Sequence, residues 1–399
     1  MKFTKFGQAA LVSTAALVMA ASFTACSPIT IDYLFVAGTK TNPGTIETFL
    51  VDRVSGALEV VNDTFTAGNN PVSEAVSTDY KNLYVANEGD STIMQVAIGA
   101  TGGLTTAATT TESAEGNSPV SIAMNSQGTL LYVVNKYQPG CSSATTGADT
   151  CNGGALAVFP VSSGTLGTAI ANGSLSYWPI GVNPTGVTAL VNGAAAYATT
   201  YDPTTGLGYV YGFSATSAGA LTALAPVQAG VKPVGLAADP TSRFLYAVDY
   251  AQDELIGYSI LDSDILHPLL DGPFKTGNEP SAITIDPRGL FIYVTNELDN
   301  TISAYAITVA TGVPTAAVNT SGSTANSTGT SPVAVIVDPS YGRFVYSANL
   351  LDNSLTGFQL NPSTGTLTAT LNAPYPSVGS PTAVAAIPHG NHSIQVNQP

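Results

Sequence analysis

The stretch EPSAITIDPRGLFIYVTNELDNTISAY, residues 279 to 305, decides the fold, because its pattern returns along nearly the whole chain. A second clear copy, SPVAVIVDPSYGRFVYSANLLDNSLTGF, occupies residues 331 to 358. Each copy opens on a proline, and a tyrosine follows 13 or 14 residues later. The pairs are Pro71 and Tyr84, Pro119 and Tyr132, Pro184 and Tyr197, Pro233 and Tyr246, Pro280 and Tyr293, and Pro332 and Tyr346. Successive opening prolines lie 47 to 65 residues apart, a period typical of solenoids, propellers or arrays.

One repeat carries the signals of four short strands. Residues 281–285 and 290–295 are rich in β-branched and aromatic side chains, and Asp286 and Pro287 between them fit the first two positions of a type I turn. A third apolar run follows at 301–307. A Gly-x-Leu turn then leads into a fourth strand in several repeats, at Gly56, Gly102, Gly164, Gly219 and Gly365. The pattern predicts an all-β protein.

The two ends of the chain supply one further repeat between them. Six prolines open complete repeats, whereas residues 381–387 form a first strand with nothing after it. The matching later strands lie at 34–38, 45–51 and 57–62. A C-terminal strand that completes an N-terminal blade closes a ring and protects the sheet edges. We therefore predict a seven-bladed β-propeller over residues 27–390, with a tail at 391–399.

The repeated DPxxRFLY and YVTNxxDNT strings, with seven units and a shared closing blade, resemble the lactonase-type propellers, also called YVTN-repeat proteins. The resemblance covers residues 32 to 390. It implies a 6-phosphogluconolactonase-like fold. For the enzymes of this family it also implies His and Arg beside the proline that opens a first strand, and an acid after the second strand.

The acid of that family pattern has candidates in this chain. Glu297, in Asn296-Glu297-Leu298, matches the family's Asn-Glu-Leu acid, and Asp249 stands at the corresponding point one blade earlier. The basic partners are replaced by small or apolar residues at Val234, Gly235, Ser281 and Ala282. If the protein is an enzyme, the resemblance implies a lactone hydrolase with Glu297 and Asp249 as its acids.

Further acids fall in loops that a propeller gathers around the mouth of its central channel. They are Glu74, Glu88, Asp253, Glu279, Asp299 and Asp352. Such a face could bind a cationic partner, or Ca²⁺ through hard oxygen ligands. The alternative is that these are solvated loop acids and turn caps. We expect no resident cofactor.

The first 26 residues have the layout of a secretory signal: Lys2 and Lys5, an apolar stretch at 9–21, and small residues before Cys26. The end is similar to a bacterial lipobox, in which Cys26 would be lipidated. Ordinary signal cleavage and an uncleaved anchor remain alternatives. We expect a lipid-anchored protein of the bacterial cell envelope, at a periplasmic or outer-membrane face.

Two more cysteines, Cys141 and Cys151, fall in the insertion at 137–153 that lengthens the repeat opened by Pro119. Oxidising compartments favour disulfides, and two thiolates with no nearby His make a poor zinc site. We predict that they form a disulfide.

The charge balance excludes one class of partner. The chain has 11 Lys and Arg against 26 Asp and Glu, a formal net charge of −15. A nucleic-acid footprint needs clustered basic residues, which are absent from the sequence. Two hypotheses remain: a monomeric, non-catalytic module that binds a protein or glycan partner through the channel mouth, or a hydrolase of sugar lactones.

Overall fold

A computed structural model describes residues 29–142, 151, 153–317 and 322–390. The chain folds into seven antiparallel sheets, each of which is one propeller blade. The first strands of successive blades contact one another, and the first strand of the last blade contacts that of the first, so the ring is closed. The prediction of a seven-bladed all-β propeller is confirmed.

We number blades 1 to 6 from the N-terminus and call the blade shared by both termini the closing blade. The inner strands are Pro71–Val76, Asn117–Met124, Pro184–Ala189, Pro233–Ala238, Pro280–Ile285, Pro332–Val337 and, in the closing blade, Pro381–Pro388. The second strands are Asn82–Asn87, Leu130–Tyr137, Ala195–Asp202, Phe244–Asp249, Phe291–Asn296, Phe344–Asn349 and Thr30–Gly38. The third strands are Thr92–Ile98, Gly154–Ser162, Leu207–Ala215, Glu254–Ile260, Thr301–Ile307, Ser354–Leu360 and Thr45–Asp52.

The outer strands differ from the expected single fourth strand. Their main segments are Leu104–Ser113, Thr165–Leu166, Leu221–Ala223, Leu266–Pro268, Pro314–Ala316, Leu367–Ala369 and Leu58–Thr66. Blades 2 to 6 add a second segment on the same third strand: Trp178–Ile180, Val227–Gln228, Phe274–Lys275, Ala325–Ser327 and Tyr375–Pro376. A short 3-10 helix, Asp262–Asp264, precedes the outer strand of blade 4. Broken edge strands offer a poor template for pairing with another chain.

Ring closure follows the predicted pairing. The C-terminal strand runs antiparallel to the second strand of the closing blade, with Leu34 opposite Ala386 and Val36 opposite Val384. Its side chains Ala383, Ala385 and Ile387 are buried in the cluster between the closing blade and blade 1. The two ends of the chain therefore share one hydrophobic core.

The fixed distance from proline to tyrosine has a physical cause. The proline begins an inner strand, and the tyrosine lies on the paired second strand with its hydroxyl directed at the next blade. There the hydroxyl donates to the carbonyl of a turn after the third strand, as from Tyr84 to Gly164, Tyr246 to Gly312, Tyr293 to Gly365 and Tyr346 to Gly56. These tyrosines are fully buried. The repeat thus encodes both a blade and its contact with the next one.

The insertion in blade 2 contains the predicted disulfide. Cys141 and Cys151 are bonded, with their Cα atoms 5.6 Å apart, within the usual range for a disulfide. The signal segment, Cys26 and the tail at 391–399 lie outside the described residues. Across the described ranges, no helix has the length and apolar character needed to span a membrane.

Candidate functional site

The channel mouth is built from two residue positions in each blade. One directly precedes the opening proline of the inner strand, and the other directly follows the residue that is paired with that proline on the second strand. Within a blade the backbone joins them: the N–H of Tyr250 donates to the carbonyl of Lys232 at 3.0 Å, and that of Glu297 to Glu279 at 2.8 Å. The first position is held by Asn70, Ser118, Asn183, Lys232, Glu279, Ser331 and Ser380, and the second by Glu88, Lys136, Tyr201, Tyr250, Glu297, Leu350 and Thr39. We call these residues the mouth ring.

Blades 4 and 5 bring four polar side chains together in the mouth ring. The Tyr250 hydroxyl donates to Glu279 Oε2 at 2.7 Å. The Lys232 ammonium lies 4.1 Å from the centre of the Tyr250 ring and 5.7 Å from that of Tyr201. Glu297 also interacts with the Tyr250 hydroxyl. We call Lys232, Tyr250, Glu279 and Glu297 the mouth cluster.

The environment of Tyr250 keeps its hydroxyl protonated. Burial raises the pKa of Tyr250, and the hydrogen bond to Glu279 and the nearby charge of Glu297 raise it further. A phenol placed between two carboxylates donates a hydrogen bond and resists ionisation. Tyr250 is therefore suited to donate hydrogen bonds rather than to act as a nucleophile.

Glu297 has different neighbours from Glu279, the other acid of the mouth cluster. Its Oε1 accepts a hydrogen bond from the Ser331 hydroxyl of blade 6 at 2.9 Å. The ion pairs found among the described residues are Lys275 with Glu254 and Arg288 with Asp286, so neither involves the mouth cluster. The carboxylate of Glu297 is thus half-buried, hydrogen-bonded and free of an ion pair in the described part of the chain.

Lys232 is a candidate site residue that the sequence did not point to. The family pattern places basic residues beside the opening proline, and the two residues that follow Pro233 in this chain are Val234 and Gly235. Lys232 directly precedes Pro233, and comparison of the seven residues before the prolines would have identified it. The hydroxyl of Ser281, one of the positions that were considered, donates instead to the Pro332 carbonyl at 2.6 Å and joins blades 5 and 6.

Asp249 does not have the environment that its predicted catalytic role requires. It is completely buried. Its carboxylate accepts backbone hydrogen bonds from Val231 at 2.6 Å, Lys232 at 3.0 Å and Ala251 at 3.0 Å. These bonds saturate the carboxylate and fix the loop that carries Lys232. We therefore assign Asp249 a positioning role and keep Glu297 as the catalytic candidate.

Most of the other predicted binding acids organise loops. Asp253 accepts the backbone N–H of Glu279 at 2.9 Å, Asp299 that of Asn278 at 2.7 Å, and Asp352 that of Thr330 at 2.8 Å. Glu88 and Glu279 do belong to the mouth ring, and Glu88 accepts from the Asn70 amide at 2.7 Å. No group of three or more His, Cys, Asp or Glu within the described residues could hold a metal ion, so the Ca²⁺ hypothesis gains no ligand set there.

Glu74 lies away from the mouth loops in which the prediction placed it. It sits inside the inner strand of blade 1, three residues after Pro71, or about 10 Å along the strand. The same position in the other blades is aliphatic: Ile122, Val187, Leu236, Ile283, Val335 and Val384. Both carboxylate oxygens of Glu74 are buried with no hydrogen-bond partner among the described residues. Burial raises its pKa well above the usual value, which the Ala385 backbone only partly offsets.

Below the mouth, the central channel contains an open cavity of about 260 Å³. Its walls are the inner strands of all seven blades, and small and aliphatic side chains such as Val72, Val120, Val234 and Val333 form most of them. Glu74 is the one charged residue among the described residues that line this cavity, whereas the mouth ring carries Glu88, Lys136, Lys232, Glu279 and Glu297.

The fold and this mouth define a closed seven-bladed propeller with an acid, a cation and a phenol grouped at the axis. The chain belongs to the family described as "Lactonase, 7-bladed beta-propeller", which it matches over residues 6–116, 32–171 and 225–398. None of the curated proteins matches this sequence.

Solved structures resemble the whole propeller at low sequence identity. A candidate 6-phosphogluconolactonase of Bacteroides uniformis ATCC 8492 is 20% identical with a TM-score of 0.70, over 90% of this chain and 99% of that one. A second candidate, from Bacteroides fragilis NCTC 9343, is 18% identical with a TM-score of 0.69, over 90% and 98%. The periplasmic gluconolactonase PpgL of Pseudomonas aeruginosa is 19% identical with a TM-score of 0.66, over 90% and 99%. At these identities the likeness shows the fold.

Proposed function

We propose that the protein hydrolyses a lactone at the mouth cluster. The observation that carries the proposal is the convergence of Lys232, Tyr250, Glu279 and Glu297 from two neighbouring blades. Membership of the lactonase family and the similarity to a gluconolactonase support the same reaction class. Because a fold alone hosts many functions, the proposal depends on the cluster.

Each of the four side chains has a separate role in the hydrolysis. Glu297 takes a proton from water, and the water oxygen attacks the lactone carbonyl carbon. The Lys232 ammonium stabilises the oxyanion that develops on the carbonyl oxygen. The ring C–O bond then breaks, and Glu297 returns the proton it took from water to the leaving alkoxide, beside the Tyr250 hydroxyl. One water is consumed, a hydroxy acid is formed, and Glu279 orients the phenol throughout.

The same cluster favours a substrate without a phosphate group. A phosphoryl group is usually held by several cationic or backbone donors. Among the described residues, the mouth ring carries Lys232 in the cluster and Lys136 two blades away. Lys232 is already placed over the Tyr250 ring. We therefore propose unphosphorylated lactones, with sugar lactones as the first compounds to test.

Lactone hydrolysis by purified protein tests this proposal directly. D-Glucono-δ-lactone and γ-butyrolactone are followed by proton release, with spontaneous hydrolysis subtracted. We expect turnover by the parent and a loss of roughly 10²- to 10⁴-fold in kcat for Glu297→Gln. Glu59→Gln, at an exposed position on the outer strand of the closing blade, is the matched control. Parent protein at the background rate, or Glu297→Gln at the parent rate, would refute the proposal.

A non-catalytic binding module is the second candidate. Tyr137, Tyr201 and Tyr250 are half-buried on the mouth face and present aromatic surface beside hydrogen-bonding groups. Such surfaces suit a glycan or protein partner. A protein without turnover whose glycan binding is lost in Tyr201→Ala would establish this candidate in place of the hydrolase.

For location, we propose export and attachment to the cell envelope through a lipid on Cys26. The support is the signal-like composition of residues 1–26. Mass spectrometry of the mature N-terminus tests it: a diacylglyceryl group on Cys26 is expected, and an unmodified N-terminus elsewhere would refute it.

A further inference from the structure

Two exposed leucines stand beside Glu297 on the mouth face. Leu298 is 62% exposed and Leu351 is 68% exposed. Each is the second residue after the second strand of its blade, in blades 5 and 6. The equivalent residues of the other blades are Lys40, Gly89, Tyr137, Asp202 and Ala251. Exposed leucines at this position occur among the described residues in blade 5, which carries Glu297, and in the adjacent blade 6, and we call Leu298 and Leu351 the apolar patch.

The patch is continuous with the mouth cluster. The Ser331 hydroxyl donates to Glu297, and the Ser331 carbonyl accepts the backbone N–H of Leu350 at 2.8 Å. Leu350 holds the mouth-ring position of blade 6, where blades 4 and 5 have Tyr250 and Glu297. The surface thus changes from charged to apolar immediately beyond Ser331.

The polar groups around the patch already have partners. Asp299 accepts from the Asn278 backbone and side chain, both at 2.7 Å, and Asp352 accepts from Thr330 and Ser354, both at 2.8 Å. The Ser331 hydroxyl is committed to Glu297. A polyhydroxylated substituent placed here would find few partners for its hydroxyls, and its desolvation would be costly. An alkyl or acyl chain would instead remove apolar surface from water.

We propose that the substrate is a lactone bearing an apolar chain, which lies over Leu298, Leu350 and Leu351 while the lactone ring occupies the mouth cluster. The inference rests on the proposed function and names its substrate class. Leu298 and Leu351 are then specificity residues, because they contact the substituent and not the reacting atoms.

A series of γ-lactones with side chains of zero, two, four and six carbons measures the effect. In the parent we expect kcat/KM to rise by about twofold to fourfold per methylene until the chain extends beyond the patch. In Leu298→Ser and Leu351→Ser the rise per methylene should be smaller. Leu270→Ser is the control, since Leu270 is 79% exposed on the outer part of blade 4. It should keep the parent slope.

Each outcome decides the inference. A kcat/KM that does not increase with chain length, or that is highest for glucono-δ-lactone, overturns it while leaving lactone hydrolysis standing. Absence of turnover with every lactone refutes the proposed function instead. In that case calorimetry with the corresponding non-hydrolysable lactams decides the apolar site: affinity that grows with chain length and is reduced by Leu351→Ser retains it, and equal affinities refute it.

Discussion

At the scale of single residues, chemically identical carboxylates have different roles in this protein because their surroundings differ. Asp249 accepts three backbone N–H groups, Glu297 is half-buried at the mouth, and Glu74 stands on the channel wall with no hydrogen-bond partner among the described residues. A buried carboxyl without a hydrogen bond is costly, and the cost grows when it is ionised. Of the three carboxylates, Glu74 is therefore the one whose surroundings lower the stability of the folded protein most.

The environment of Glu74 predicts that its replacement stabilises the protein. Glu74→Val restores the aliphatic residue found at this position in the other six blades. We expect the free energy of unfolding at pH 7 to increase by about 1 to 3 kcal/mol, because a buried carboxyl group without a hydrogen bond is removed from a channel wall that is mostly small and aliphatic. Thermal or chemical denaturation measures the change, with the exposed Glu59→Val as the control. A variant no more stable than the parent would contradict this account.

The turn glycines give a second prediction at this scale. Gly365 has φ 72°, and a Cβ there would lie 2.2 Å from the Phe291 ring of the preceding blade. Gly365→Ala should destabilise the protein by at least about 1 to 3 kcal/mol, through backbone strain and the displaced ring. Gly173→Ala is the control, since Gly173 also has positive φ but no atom lies within 4 Å of its Cβ position. Equal losses in both variants would show that the Phe291 contact contributes nothing.

At the scale of the blade, four acids with raised pKa values lie in the closing blade or in the blades on either side of it. Asp32, Glu47, Glu74 and Asp338 all lie within or against it, and burial raises the pKa of each. Asp32 and Asp338 interact directly, and Asp338 also accepts backbone N–H groups from Tyr341 and Phe344. Burial and the neighbouring charge of Asp338 together raise the pKa of Asp32 well above its usual value.

These shifts predict that stability depends on pH in a defined direction. Unfolded carboxyl groups have pKa values of about 4. Since the folded protein binds these protons more tightly, their contribution to stability is complete below about pH 4 and is lost as pH rises through the higher native pKa values. Asp32→Asn keeps an amide donor toward Asp338 and removes the titration. The free energy of unfolding, measured from pH 4 to 8, should therefore decline less steeply in Asp32→Asn than in the parent.

The control for this pH series is Asp271→Asn, because Asp271 is exposed on the outer part of blade 4. Its profile should follow the parent. Parallel profiles for the parent and Asp32→Asn would show that the buried pair does not set the pH dependence.

At the scale of the whole molecule, the repeat made the architecture predictable. The opening proline, the tyrosine 13 residues later and the Gly-x-Leu turn are local signals, and they specify strands, turns and contacts between neighbouring blades. The broken outer strands could not be predicted in the same way, because edge segments of two or three residues carry little pattern.

The candidate site was less predictable than the fold. Lys232 and Tyr250 come from separate segments of blade 4, and the contact of Tyr250 with Glu279 depends on how blade 5 packs against blade 4. The sequence likewise does not show whether the carboxylate of an aspartate such as Asp249 is free or hydrogen-bonded to the backbone. Glu74 was an exception, since alignment of the seven inner strands reveals the one acid among six aliphatic residues.

Closure of the ring gives the prediction that belongs to the whole molecule. Removal of residues 381–399 takes away the innermost strand of the closing blade, leaves the edge of Thr30–Gly38 unpaired, and removes Ala383, Ala385 and Ile387 from their cluster. An unpaired strand beside an opened apolar cluster is a template for association. We expect the truncated chain to aggregate or to melt well below the parent, as light scattering and calorimetry would show.

The matched control removes residues 391–399 and keeps the whole strand Pro381–Pro388. Because every strand pair of the closing blade is then retained, this shorter deletion should melt within a few degrees of the parent. A synthetic peptide of residues 379–390 added during refolding provides the sharper test, since it can restore the missing strand pairing and the missing apolar side chains together. Partial recovery of monomeric protein is expected. A protein lacking 381–399 that is monomeric and as heat-stable as the parent would show that the other six blades hold the ring without the closing strand.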